Sequence, residues 1–261
     1  MKRILITGKD SYIGTNFMKY LEQYPNDYYV KELDVRDDSW KGFDFSAYDA
    51  VYHVAGIAHI KEVSENENLY YKVNRDLAVN IAKKTKDSKV KQFIFMSSMS
   101  VYGLIHSNIF IDEKTECHPN TYYGKSKYEA EQMIKELKDD SFHVCIVRPP
   151  MVYGQGAPGN LGRLFQAVRK FHIFPTLRNE RSSITVEKLC EYIKKYIDEE
   201  ATGLFLPQND EYLCTVDIVK NQMKKENVKV IYLSIFNPMI RFLIGKVGLI
   251  TKCFGDLKYG K

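Results

Sequence analysis

Cysteine is sparse in this sequence and shows no pattern. Cys117, Cys145, Cys190, Cys214 and Cys253 are odd in number and include no C-x-x-C pair. That argues against a zinc site or a disulfide framework and points to a reducing compartment. Charge of one sign is also scarce: 38 Lys and Arg stand among 33 Asp and Glu, a net +5. No basic stripe interleaved with aromatics stands out, so nucleic acid is not an expected partner. Long apolar runs are missing. The one in MKRILITGKD is too short for a signal peptide and suits a buried strand. The stretch 231–255, IYLSIFNPMIRFLIGKVGLITKCFG, is broken at Pro238 and carries Arg241, Lys246 and Lys252, so a membrane span is not expected. It reads as a helix packed on its own lobe or a partner subunit; a basic amphipathic helix lying on a membrane is the other reading. The cytoplasm is the expected location. There is no internal repeat, low-complexity tract or flexible linker.

What is present is a core-forming composition, 44% hydrophobic and 27% charged over 261 residues. That suits one large domain, or a domain with a smaller lobe. RILITG, YYVKEL, AVYHVAG (50–56), QFIFMSS (92–98) and HVCIVRP (143–149) read as strands. Between them lie helical patterns: Ile13, Phe17 and Leu21; Val73, Leu77 and Ile81; and SKYEAEQMIKELK. Strands alternating with helices predict an α/β fold, a Rossmann-like parallel sheet with helices on both faces. Only one strand fits between the first helix and AVYHVAG, so the sheet is expected to lack about one βα unit. After Pro149 the pattern weakens. The expected division is a dinucleotide-binding domain over 1–150, with the 186–200 helix packing back on it, and a smaller substrate lobe over 151–261.

LITGKDSYIG is a strand, a turn and a helix start. In such a turn the backbone N–H groups at the helix start receive a pyrophosphate. Gly8 serves the turn and Gly14 the packing of helix on strand. Ser11 stands where such loops usually carry another glycine; it is small, and its hydroxyl can donate a hydrogen bond. Tyr12 and Ile13 complete the candidate cofactor loop.

TYYGKSK places Tyr123 and Lys127 four residues apart on one helix face. A phenol with a pKa near ~10 is a poor base. A neighbouring ammonium favours its phenolate and so brings it toward neutral pH. FMSSMSVYG ends a strand with Ser97, Ser98 and Ser100, at the sheet edge where α/β folds gather ligands.

In this order, with HVAGIAH, Asn74 in YYKVNRD, RPPMVYGQG and RSSITVEKL, the pieces resemble the extended short-chain dehydrogenase/reductase family, in its NAD-dependent epimerase/dehydratase branch. The resemblance runs over nearly the whole chain. It implies Tyr123 as the acid/base, Lys127 on the nicotinamide ribose, and Ser98, with Ser100 nearby, on the substrate oxygen. Ala55, Gly56 and Pro149 would line the cofactor groove. Asn160 and Arg181 would contact the diphosphate of a nucleotide sugar. Asp34 could accept the adenosine ribose hydroxyls, favouring NAD, or match a later Asp that touches the adenine. Arg36 and Lys9 could hold a 2′-phosphate, so NADP stays open. A homodimer through the helices of 70–86 and 123–138 is implied too. Related 4,6-dehydratases carry an Asp–Glu pair where this chain has Met99 and Ser100, which disfavours dehydration.

The leading expectation is therefore a nucleotide-sugar epimerase acting by transient oxidation at C4. A 4-ketoreductase serving surface-polysaccharide synthesis is the alternative, and a redox-inactive dinucleotide-binding protein the third.

Overall fold

The computed structural model describes residues 1–58, 60, 62–158 and 160–261, the Asn160 side chain excepted. The first half runs β1 (Lys2–Thr7), α1 (Tyr12–Leu21), β2 (Tyr28–Leu33), β3 (Ala50–His53), α2 (Glu67–Tyr70), α3 (Ala78–Asp87) and β4 (Gln92–Met96). It continues through β5 (Phe110–Ile111), α4 (Tyr122–Lys135), β6 (His143–Val147) and β7 (Met151–Tyr153). The remainder is α5 (Asn160–Phe171), β8 (Ile173–Pro175), β9 (Ser183–Thr185), α6 (Val186–Asp198), β10 (Gly203–Phe205) and α7 (Thr215–Lys225). It ends with β11 (Ile231–Leu233), α8 (Asn237–Leu243), α9 (Gly248–Phe254) and β12 (Lys258–Tyr259).

Six strands form one sheet in the order β2–β1–β3–β4–β6–β10, every pair parallel. Burial on both faces explains why its strands are continuous apolar runs rather than alternating ones. Ile4 and Ile6 of β1 face Phe17 and Leu21 of α1 and Leu189, Ile193 and Ile197 of α6. Leu5, Val51 and Phe93 face Ala78, Ile81, Ala130 and Ile134 of α3 and α4. α6 thus packs on the same face of the sheet as α1, and β10 closes the far edge of that sheet.

Between α1 and β3 the chain forms only β2 and a 3₁₀ turn, Asp38–Gly42. Trp40 and Phe45 from this segment are buried in the cluster that holds α3 and α4. The segment thus adds one strand and no α-helix, the reduction expected from the sequence. The chain leaves β1 toward β2 on one side and resumes at β3 on the other. This reversal falls at the carboxyl ends of β1 and β3, the usual ligand position in such sheets.

Two local readings change. The helix expected to bury Val73, Leu77 and Ile81 contains a π-helical segment, Tyr71–Leu77. The wider turn shifts the phase, so Asn74, Ala78 and Ile81 are fully buried while Val73 and Leu77 are only half-buried. π-helical turns recur at functional sites. Pro238 does not break the C-terminal helix but sits in the first turn of α8, where its missing N–H costs nothing. The break comes at Ile244–Val247, around Gly245 with φ 84°. A separate cluster packs Val168 of α5 and Phe174 of β8 against Val216, Val219 and Met223 of α7. Among the described residues no helix is long and apolar enough to cross a membrane.

Candidate active site

The Gly8 loop follows β1 at the sheet reversal. Gly8 has φ 120°, and a Cβ there would lie 2.7 Å from the Ala55 backbone nitrogen. Both the turn and the close approach require glycine. A Cβ on Gly14 would meet Ser11 Oγ at 2.7 Å and Ile6 at 3.1 Å, so Gly14 seats α1 on β1. Ser11 caps α1: its Oγ accepts from Gly14 N at 3.2 Å, which leaves the hydroxyl proton free to donate. Asp10 turns away toward Arg36, 3.6 Å distant. Replacing Gly8 by alanine is expected to abolish dinucleotide retention, read by mass spectrometry of the denatured protein, because the Ala55 backbone cannot yield to a new Cβ.

Tyr123 and Lys127 lie on α4, whose first turn is capped by Thr121 Oγ1 accepting from Gly124 N at 3.0 Å. A Cβ on Gly124 would come 2.6 Å from Ser100 O. Glycine here lets α4 close on the serine turn and bring Tyr123 to Ser98. The Ser98 side chain is close enough to the Tyr123 phenol to influence its ionisation. Its Oγ also accepts from Ser100 N and donates to Ser100 Oγ, each at 3.1 Å. Met99 N donates to Pro149 O at 3.0 Å, fixing this turn over the end of β6. Ser98, Ser100, Tyr123, Lys127 and Pro149 are thus gathered at the carboxyl ends of β4 and β6.

The ionisation of this group departs from the sequence reading. Lys127 was expected to draw the Tyr123 phenol down. Burial instead pushes the half-buried phenol above its ordinary value, with the neighbouring Ser98 hydroxyl opposing. Lys127 is itself buried; its ammonium donates to Met96 O at 2.8 Å and lies 4.7 Å from the centre of the Phe95 ring. Desolvation brings it down to about 7, against the pull of Glu131. Spacing on a helix places the pair but does not weigh the burial of both members. Gly56 belongs to the same floor: a Cβ there would lie 3.0 Å from Asn74 Oδ1 and 3.3 Å from Lys127 Nζ. Asn74 Oδ1 accepts from Ile57 N at 2.9 Å and its Nδ2 donates to Ile57 O at 3.0 Å, pinning the loop after Gly56 to the π-turn.

Beneath the site lies a network that motif reading missed. Glu131, one turn beyond Lys127, is fully buried and pairs with buried Arg148, whose Nε donates at 2.9 Å. Ser97 Oγ donates to the same carboxylate. Arg148 stacks 4.9 Å from the Tyr102 ring centre, and the Tyr259 hydroxyl donates to Arg148 O at 2.8 Å. The one hint in the sequence is Glu131 four residues after Lys127; its partner sits on another element. Glu62 was also missed: its carboxylate accepts from Tyr123 N at 3.0 Å.

His53, at the end of β3, is fully buried with Nδ1 2.8 Å from Thr7 Oγ1, and Nε2 has no partner among the described residues. Desolvation, with Lys127 nearby, holds it down at about 3. The folded value lies below that of the unfolded chain, near ~6.5, so this group's stability contribution is lost as pH falls between those values. Wild-type melting temperature is expected to drop more steeply below neutrality than that of His53→Asn, in a thermal scan against pH.

The outer residues are placed as follows. Asp34, at the end of β2, is gripped by Arg36, whose Nε lies 2.9 Å from Oδ1; this pairing holds the Asp34 carboxyl well below the usual carboxylate range. Arg181 is not a free surface charge. Its Nη1 donates to Gly255 O at 2.6 Å and Ile105 O at 3.3 Å, and burial lowers its pKa. The Tyr12 hydroxyl is buried without a partner among the described residues, beside Gly154. The Asn160 side chain lies outside the described residues.

Residues 4–203 match the sequence pattern of the NAD dependent epimerase/dehydratase family. The chain is 34% identical to UDP-glucose 4-epimerase of Vibrio cholerae, over 84% of its own length and 74% of that protein. It is 28% identical to N-acetyl-alpha-D-glucosaminyl-diphospho-ditrans,octacis-undecaprenol 4-epimerase of Escherichia coli O157:H7, over 85% of this chain and 70% of the other. In fold it resembles the UDP-glucuronic acid 4-epimerase of Bacillus cereus, solved with NAD, at TM-score 0.74 and 18% identity, covering 88% of this chain and 85% of that one.

Proposed function

The chain belongs to the NAD dependent epimerase/dehydratase family, and from that premise we propose that it is an NAD-dependent epimerase inverting C4 of a hexose carried on a diphosphate. The carrier is a nucleotide or a polyprenyl lipid, the two kinds named among its relatives. The observation that carries this reading is the packing of α4, which bears Tyr123 and Lys127, against both the serine turn of Ser98 and Ser100 and the Gly56 loop.

A dinucleotide is supported by the family and by the strand–turn–helix at Gly8, whose helix start offers backbone N–H groups to a pyrophosphate. Gly8, Ser11, Tyr12, Ile13 and Gly14 would hold the pyrophosphate, Asp34 and Arg36 the adenosine end, and Ala55, Gly56, Lys127 and Pro149 the nicotinamide end. When bound, NAD supplies the acceptor and donor of the C4 hydride. Tyr123 takes the proton of the 4-hydroxyl and later returns it. Ser98 holds the same oxygen, with Ser100 orienting Ser98. Lys127 stabilises the phenolate once neighbouring negative charge restores its proton. Arg181 and Asn160 would meet the diphosphate. Residues 1–150 serve the cofactor, and 151–261 mainly the sugar and its carrier. Dehydration is not supported, because Met99 is buried and Ser100 engaged with Ser98. A 4-ketoreductase would use the same residues once per exogenous cofactor; the relatives' names favour epimerisation.

Purified protein, denatured without added ligand, is expected to release near-stoichiometric NAD, because an epimerase recycles its cofactor between turnovers. An empty protein that binds added NADPH would favour the reductase instead. A homodimer through the outer faces of α3 and α4 is part of the proposal; a monomer in sedimentation at micromolar concentration would remove it.

A further inference from the structure

The C-terminal hairpin exposes more apolar surface than its own lobe uses. Ile235, Met239 and Phe242 recur at helical spacing along the turn before α8 and α8 itself, with Ile235 77% and Phe242 67% exposed. Ile240, on the opposite side, is the residue of α8 that packs inward. Leu249 of α9 is 73% exposed. Ile231 of β11 and its register partner Ile173 of β8 extend the exposed apolar surface. An apolar stripe of this kind marks an interaction surface.

Charge indicates what it meets. Residues 227–255 contain no Asp or Glu but carry Lys229, Arg241, Lys246 and Lys252. The Lys246 ammonium sits 3.4 Å from the centre of the exposed Phe242 ring, so cation and apolar anchor share one spot. The flanking acids are engaged elsewhere: Glu226 with Arg169, and Asp256 with the Glu180 backbone N–H at 2.7 Å. A second copy would bring this basic face against itself and repel. An anionic lipid surface complements it in both respects, taking the apolar side chains below its headgroups and the basic ones among them.

We propose that the α8–α9 face docks the enzyme on an anionic membrane surface. The face adjoins the substrate side. The loop 104–109, which follows the Ser98–Tyr102 turn, is tied to the hairpin by Ser107 N donating to Asp256 O at 2.7 Å, and by Arg181, which holds both Ile105 O and Gly255 O. That loop exposes Leu104 and Ile109 as well. Resting on the C4 reading, the docking selects the polyprenyl diphosphate as the carrier of the sugar.

The test is flotation of the whole protein with phosphatidylglycerol–phosphatidylcholine vesicles, against phosphatidylcholine alone. The wild type should float with the anionic vesicles and less so in high salt. Ile235→Ser/Phe242→Ser/Leu249→Ser should lose about tenfold or more of that partitioning. Arg241→Glu/Lys246→Glu, which removes no buried group, should lose it too. Both variants should keep wild-type turnover of UDP-N-acetylglucosamine but lose turnover of N-acetylglucosaminyl-diphospho-polyprenol presented in vesicles. The proposal is overturned if the wild type does not float, if both variants float unchanged, or if the apolar face proves to be covered by a second copy, seen as a dimer in sedimentation that the triple variant dissociates. Flotation needs no turnover. A protein that floats and converts neither sugar would remove the C4 reading and leave the docking face standing.

Discussion

Tyr123→Phe is expected to lower turnover by about 10²–10⁴-fold, the usual contribution of a positioned acid/base. The variant should still hold its dinucleotide and melt close to the wild-type temperature. The ring stays in place, and only the hydroxyl, which lies near Ser98, is removed. Steady-state kinetics with a cofactor-content measurement would check this. A loss of activity that followed a loss of cofactor would mean a packing role. Unchanged biological activity would revive the reading of the chain as a dinucleotide-binding protein without redox chemistry. The pH profile adds a second check. Burial raises the phenol and lowers Lys127 to about 7, so the base limb of the profile depends on the lysine regaining its proton beside negative charge. Lys127→Met should move that limb to higher pH.

Arg148→Met is expected to destabilise the fold by about 3–5 kcal/mol, because it leaves the Glu131 carboxylate buried without its partner. Glu131 and Arg148 are both essentially inaccessible to solvent, and the remaining contact on the carboxylate is the neutral Ser97 hydroxyl. The double variant Glu131→Leu/Arg148→Met should recover most of the loss, since replacing both ions removes the unpaired charge rather than creating one. Urea denaturation of the three proteins would measure it; equal losses in single and double variants would contradict the account. The double variant should still turn over more slowly, because Glu131 supports the charge on Lys127 and Arg148 underlies the serine turn.

The parts of this site visible in the sequence are those whose geometry is local. Tyr123 and Lys127 share a helix face because four residues make about one turn. Gly8 and Gly14 bracket one strand–turn–helix. The shortened first half could be read because a βα unit needs a length of chain that is not there between α1 and β3. What stayed hidden depends on contacts between distant elements. Arg148 meets Glu131 only because β6 lies beneath α4. His53 meets Thr7 because β1 and β3 are neighbours across the sheet reversal. The π-turn at Tyr71–Leu77 displaces a periodicity that apolar spacing assigned to Val73 and Leu77. The raised phenol is a burial effect, and spacing carries no information on desolvation. Pro238 read as a break because proline marks a helix start as readily as a helix end.

The most direct test of C4 epimerisation follows the hydrogen itself. UDP-N-acetylglucosamine and N-acetylglucosaminyl-diphospho-polyprenol, each deuterated at C4, would be incubated with the purified protein and no added cofactor, and the product examined by NMR. The account predicts inversion at C4 of at least one of them, with the deuterium still on C4, because the same hydride leaves and returns within one closed site. Inversion with the label washed out, or product that appears only with added NADPH, would contradict it.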